Sequence, residues 1–229
     1  MTFDADTPPP RDPLDDLRDR VLDEALAEAA FDGWTRSVLD RALGQAGIGP
    51  GERAGLFPRG VRDLLDYWAG REDAAVLAAF AALAEPPRGV TGKIRWLVHA
   101  RIEALAPNKE AARRAAATLA LPPYAETGAR LTWRTADAMW RAAGDTATDF
   151  NHYTKRATLS AVYGSTAARF FSDDGQGPPD DPYAATWGFL DARLVDVMRF
   201  EKAKAKAASY VPDPAAVASV LGRLRYGRR

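Results

Sequence analysis

With 229 residues, 47% of them hydrophobic, the chain is long enough to enclose a sizeable core. Lysine plus arginine equals aspartate plus glutamate at 31 each, so net charge singles out neither a polyanionic nor a polycationic partner. Cysteine is absent, which excludes a disulfide framework, a thiolate-ligated metal and a thiol nucleophile.

Charge is nevertheless polarised along the chain. Residues 1–32 hold ten acids and three bases, a net of −7; residues 199–229 hold eight bases and two acids, a net of +6. A basic end of this kind suits an anionic partner, lipid or protein. The acidic, proline-rich start at residues 1–12 lacks the pattern of a signal or transit peptide and predicts a disordered lead-in. No apolar run reaches the length of a membrane span. The chain is expected to be soluble or at most to sit on a membrane surface.

The remaining segments have helical period. Asp12-Pro13 opens the first helix, whose stripe is Leu14, Leu17, Val21, Leu22 and Leu26. Asp32-Gly33-Trp34 breaks it, and Thr35 opens a second helix to about Ala46. A Gly/Pro-rich turn leads to a very short helix over 52–56, and a longer one is predicted over 61–83. Pro86-Pro87 ends that helix, and Thr91 caps the next, which runs to Pro107. Further helices are predicted over about 108–119, 124–143, 148–171 and 181–207, with a last one from Pro214. No period-2 stretch reads as a strand, so the fold class is all-α. Four stretches are expected: the lead-in 1–12, a helix-turn-helix-like bundle 13–68, a helical region 69–206, and a basic amphipathic helix 207–229.

The layout of the first 68 residues, from Val21-Leu22-Asp23-Glu24-Ala25 through Ala46-Gly47-Ile48-Gly49 to Leu56-Phe57-Pro58, resembles the N-terminal domain of TetR-type repressors. A helix that reads DNA needs cations for phosphates and donors for base edges. Residues 51–56 offer one arginine offset by one glutamate, beside an acid-rich helix that would repel the duplex. The pattern therefore predicts a retained scaffold that does not bind DNA.

The segment from Gly144 to Arg156 is the densest in chemistry. Gly144 ends one helix as a left-handed cap, and Thr146 with Asp149 forms a capping-box variant that opens the next. At 100° per residue that next helix has two non-polar faces. One is mostly small (Phe150, Thr154, Ala157, Ala161, Gly164, Ala168) and suits close approach of another helix; the other carries His152, Leu159, Tyr163 and Phe170. Polar and aromatic groups thus crowd one helix–helix corner. On the residues alone this is either a partner surface or a well-capped corner with ordinary packing.

The series Trp140, Gly144-Asp145, Thr148-Asp149-Phe150-Asn151 and Tyr153-Thr154-Lys155-Arg156 resembles the hallmark of the ninth coenzyme Q biosynthesis protein family. Supporting resemblances are Phe31-Asp32-Gly33-Trp34, Leu56-Phe57-Pro58-Arg59-Gly60, Arg101-Ile102-Glu103, Ala157–Tyr163, Thr186–Asp191 and Val197–Lys202, spread over roughly residues 14–206. The resemblance implies a TetR-like fold without regulatory function, makes residues 69–206 a lipid-binding and dimerisation region with a helical pocket for lipid, including isoprenoid quinone intermediates of ubiquinone biosynthesis, and places the protein in the cytoplasm, peripheral on the inner membrane. It also implies docking to the di-iron demethoxyubiquinone hydroxylase through Met139, Trp140, Asp145, Asp149, Asn151, Tyr153, Lys155 and Arg156. His152 departs from the pattern, standing where several members have tryptophan.

No nucleophile, nucleotide-binding or di-iron motif is present; His99 and His152 each lie near one carboxylate at helical spacing, and His99 reads as a satisfied core residue; neither enzymatic activity nor a bound metal or other cofactor is expected. The last helix places Val217, Val220, Leu221 and Leu224 beside Arg223, Arg225, Arg228 and Arg229, a pattern for anionic membrane surfaces and, by the resemblance, the membrane-binding element. The 4-3-4-3 stripe Tyr183, Trp187, Leu190, Leu194, Val197 suits a helix-pair seam, and a homodimer is expected. The functional expectation is a lipid-binding accessory protein that presents quinone intermediates to the hydroxylase; the alternative is a ligand-responsive TetR-type repressor.

Overall fold

The computed structural model of the chain describes residues 14–146 and 150–208. Nine α-helices and one 3-10 turn make up the described residues, with no strand among them. They are α1 (Asp15–Asp32), α2 (Arg36–Gln45), α3 (Pro50–Leu56), α4 (Val61–Ala81), α5 (Gly89–Glu103), the 3-10 turn Ala106–Asn108, α6 (Lys109–Ala120), α7 (Ala125–Ala142), α8 (Phe150–Ser172) and α9 (Ala184–Ala208). The all-α expectation is borne out. The expected opening of α1 at Asp12-Pro13, the capping pair Thr146–Asp149 and the helix from Pro214 involve positions outside the described residues.

Local chemistry accounts for most helix ends. Thr35 caps α2, its hydroxyl accepting from the Val38 N–H at 3.2 Å. Thr91 does not cap α5 as expected: the helix starts at Gly89, with Arg88 in the extended N-cap conformation, so Thr91 lies inside the first turn. Gly144 has φ +94°, the left-handed conformation that stops α7, and the Asp145 N–H then donates to the Trp140 carbonyl at 2.9 Å.

The core begins in the N-terminal bundle, where Val21, Leu22, Ala25 and Ala29 of α1 meet Val38, Leu39 and Ala42 of α2 in the interior. Trp34 ties the bundle to the rest: its ring stacks on Trp68 of α4 with centroids 5.3 Å apart, and its indole N–H donates to the Ala111 carbonyl of α6 at 2.9 Å. The expected boundary at 68/69 falls within α4, which is continuous and packs on α1, α5 and α7. On α4, Asp66 receives Arg130 at 2.6 Å and Arg134 at 2.5 Å from α7. Gly128 lets α6 and α7 approach closely, because a Cβ there would sit 2.9 Å from the Leu119 carbonyl oxygen.

The chain divides into a compact unit through Leu190 and a second from Asp191. Within the first, Asp173 accepts from the Thr186 hydroxyl at 2.7 Å and from the Gly175 N–H at 3.1 Å, fixing the turn before α9. Trp187 stacks on His99 at 3.8 Å and Leu190 is fully buried, so these two members of the expected helix-pair seam are spent inside the chain. In the second unit Arg193 pairs with Asp196 at 2.8 Å.

Candidate functional site

Two features of the first unit carry chemistry: the corner between α7 and α8, and a cavity bounded by α4 to α8. The corner is an ion network. Lys155 Nζ meets Asp145 Oδ1 at 2.6 Å and lies 5.4 Å from the Trp140 ring centroid, while the Trp140 indole donates to the Lys155 carbonyl at 3.0 Å. Arg156, with 2% of its side chain exposed, donates through Nη1 to Asp145 Oδ2 at 3.1 Å and through Nε to Asp137. The same Nη1 reaches the His152 carbonyl at 3.2 Å. A buried guanidinium spread over two carboxylates and a carbonyl fixes the angle between the helices.

The structure thus sorts the residues expected in the docking patch. Trp140, Asp145, Lys155 and Arg156 are brought together, but Arg156 and Met139 are buried, so neither presents its side chain to a partner. Asp149 lies outside the described residues. Asn151 and Tyr153 are exposed, Tyr153 at 62%, and its ring stands 5.1 Å from His152 edge to face and 6.3 Å from Trp133. His152, the departure from the family pattern, therefore still contributes a ring to the exposed aromatic group, joined by Trp133, which spacing gave no reason to single out.

Burial works to raise the Asp145 carboxyl, but hydrogen bonds from Lys155 and Arg156 outweigh it and hold Asp145 below the usual carboxylate range. A depressed folded-state value gives stabilisation that is full above the unfolded value of about 4 and is lost as pH falls through the folded one. Urea midpoints are expected to fall between pH 5 and pH 3. In Asp145→Asn the pH 7 midpoint drops and the acid limb flattens; an unchanged acid limb would remove Asp145 from the cause.

The cavity has a volume of about 450 Å³, within the range of small-molecule sites. Its walls include Leu65 and Trp68 from α4, alanines of α6 and α7, and Gly164, Ala168 and Phe171 from α8. The small face of α8 does not receive a neighbouring helix as its periodicity suggests. Ala157 and Ala161 are exposed, Gly164 and Ala168 bound the cavity, and a Cβ on Gly164 would meet nothing within 4 Å. Small residues here leave room instead of closing it. At the buried wall, Arg101 donates through Nε to Asp73 at 2.7 Å, and the Thr135 hydroxyl donates to Asp73 at 2.8 Å.

The other sequence candidates resolve simply. His99 Nδ1 lies 3.4 Å from Glu103, and among the described residues no group of three His, Asp or Glu side chains converges to hold a metal. In the helix-turn-helix, Arg41 is paired with Glu28 and Asp32, Arg53 with Asp40, and Arg59 with Asp63. No described helix is long and apolar enough to cross a membrane. Val217, Val220, Leu221, Arg223, Leu224, Arg225 and Arg228 of the expected membrane helix lie outside the described residues.

The COQ9 family model matches residues 125–201, which hold α7, α8 and most of α9. Similar curated proteins include the mitochondrial ubiquinone biosynthesis protein COQ9 of Drosophila melanogaster, 28% identical over 192 residues, covering 82% of this chain and 57% of the relative. Those of Homo sapiens (29% over 189 residues, 80% and 58%) and Rattus norvegicus (30% over 189 residues, 80% and 59%) are also similar. The chain therefore spans a little under three fifths of the length of these relatives. Among solved structures it resembles the TetR transcriptional regulator from Nitrosomonas europaea, with a TM-score of 0.59, 21% identity, and coverage of 79% of this chain and 97% of that one. The expected TetR-like fold is borne out.

Proposed function

As a member of the COQ9 family, whose model its residues 125–201 match, this chain is, we propose, a non-catalytic accessory factor of ubiquinone biosynthesis that binds lipid. It would bind isoprenoid quinone intermediates in the cavity and present them to the demethoxyubiquinone hydroxylase at a membrane surface. The observation that carries the reading is the apolar cavity between α4 and α8, walled largely by alanine, leucine and aromatic side chains. Organic extraction of the purified protein followed by mass spectrometry tests it. Co-purifying polyprenyl quinones or other lipids are expected; an empty extract together with no sedimentation on anionic liposomes would overturn the proposal.

The hydroxylase is proposed to dock on the exposed aromatic group at the head of α8. Tyr153 is the clean probe, because it is exposed and Trp140 is half-buried with its indole bonded across the corner. Tyr153→Ala is expected to weaken hydroxylase binding at least tenfold, a truncation of about 2 kcal/mol at a hot spot, with an unchanged melting temperature. Equal binding by surface plasmon resonance would move the interface elsewhere. Membrane attachment through the last helix and homodimerisation belong to the same proposal. The repressor alternative gains nothing from the helix-turn-helix, where Arg41, Arg53 and Arg59 face carboxylates of their own chain.

A further inference from the structure

Arg101 is the exception in the cavity wall. It is 4% exposed, it lines the cavity, and its ion pair with Asp73 leaves Nη1 buried with no hydrogen-bond partner. Nε is satisfied by Asp73, and Nη2 reaches the Ala69 carbonyl only at 3.5 Å. Leaving a buried charged donor unmade is costly, and an apolar pair in place of Arg101 and Asp73 would serve stability as well or better. Stability alone therefore gives no reason for this arginine. Tyr163 lines the same space.

The charge on Arg101 is already balanced by Asp73, whose other oxygen is held by Thr135. A carboxylate or phosphate arriving here would bring an unpaired negative charge into an apolar enclosure. An uncharged acceptor would satisfy Nη1 and leave the site neutral. Like Arg101, the lining residues Leu65, Leu131 and Thr135 are buried, whereas Ala116, Ala120 and Ala168 of the same lining are exposed. The arginine thus stands at the closed side and the alanines at the mouth.

Resting on the reading of this cavity as a lipid site, we propose that Arg101, held in place by Asp73, is a buried anchor for an uncharged carbonyl or ether oxygen. The amphipathic ligand enters polar end first, and its hydrocarbon lies along the alanine-lined walls. Arg101 then selects by head-group chemistry, where the alanine and leucine walls select by shape and hydrophobicity.

Calorimetric titration of the delipidated full-length chain with three probes tests this: decylbenzoquinone, decylbenzene and decanoate. The quinone is expected to bind at least tenfold more tightly than decylbenzene and more tightly than decanoate, as one hydrogen bond to a charged donor would give. In Arg101→Met/Asp73→Leu, which exchanges the pair for apolar side chains, decylbenzene binding is retained and the quinone preference is lost. Equal affinities for quinone and decylbenzene in the parent chain would mean that water satisfies Nη1 and would overturn the anchor while leaving the lipid cavity standing. Tightest binding of decanoate would overturn the neutral-head assignment. If none of the three binds, the lipid cavity falls and the anchor with it. The parent chain's ranking decides the matter even if the double variant folds poorly.

Discussion

Arg156→Met is expected to destabilise the fold by about 3–5 kcal/mol, read as a lower urea midpoint at an unchanged slope. Methionine keeps most of the aliphatic length, so the loss is one of charge and not of volume. Removing the guanidinium leaves Asp137 and Asp145 facing each other across the α7–α8 corner, Asp145 with 7% of its side chain exposed and only Lys155 to balance it. Arg141→Ala is the control. Arg141 pairs with the same Asp137 at 2.5 Å, but 71% of its side chain is exposed, and its loss is expected to cost less than about 0.5 kcal/mol. A loss under about 1 kcal/mol for Arg156→Met would show that the corner is solvated and does not hold the helices together.

This outcome bears on how the Gly144–Arg156 segment works. Its ionic members fix a helix angle, and that angle carries Tyr153 and His152 at the surface. A motif recognised by resemblance thus contains two kinds of residue, those that set the corner and those that face outward. Under the proposed docking both kinds matter, the first for position and the second for contact. On that proposal, substituting Arg156 or Asp145 weakens partner binding for a structural reason, and only the exposed ring separates contact from scaffold.

Helix identity was legible because Thr35, Gly144 and the proline pairs are local signals whose physics acts within a few residues. Trp34 could be flagged only as part of a motif, since its partners Trp68 and Ala111 lie 34 and 77 residues away in sequence. The Asp173–Thr186 bond went unnoticed for the same reason: nothing local distinguishes a solvated aspartate from one that fixes a turn. Arg101 appeared in the sequence as one member of a three-residue resemblance, and its buried pairing with Asp73 depends on how α4 and α5 cross. The spacing of small residues on α8 predicts room for another helix. Periodicity specifies that a face is small, but whether a helix or an open cavity lies against it is decided by the neighbours.

That ambiguity yields the sharpest test of the cavity. Gly164→Leu is expected to reduce affinity for the lipid proposed to occupy the cavity roughly a hundredfold while the protein remains as stable as the parent or more so. Glycine inside a helix costs about 1 kcal/mol relative to alanine or leucine, and a Cβ at 164 meets nothing within 4 Å, so the helix gains from the change. The leucine side chain then takes space that the ligand would fill. Displacing about four methylenes at about 0.8 kcal/mol each removes about 3 kcal/mol of binding, which gives the hundredfold figure. Gly164→Ala shares the helix gain but occupies little of the cavity, and it should bind nearly as the parent does. A leucine variant that melts higher and extracts with its full lipid load would show that lipid sits elsewhere. One that melts lower would show that α8 closes against a neighbour at this position after all. Stability and lipid content are expected to move in opposite directions, which general damage to the fold would not produce.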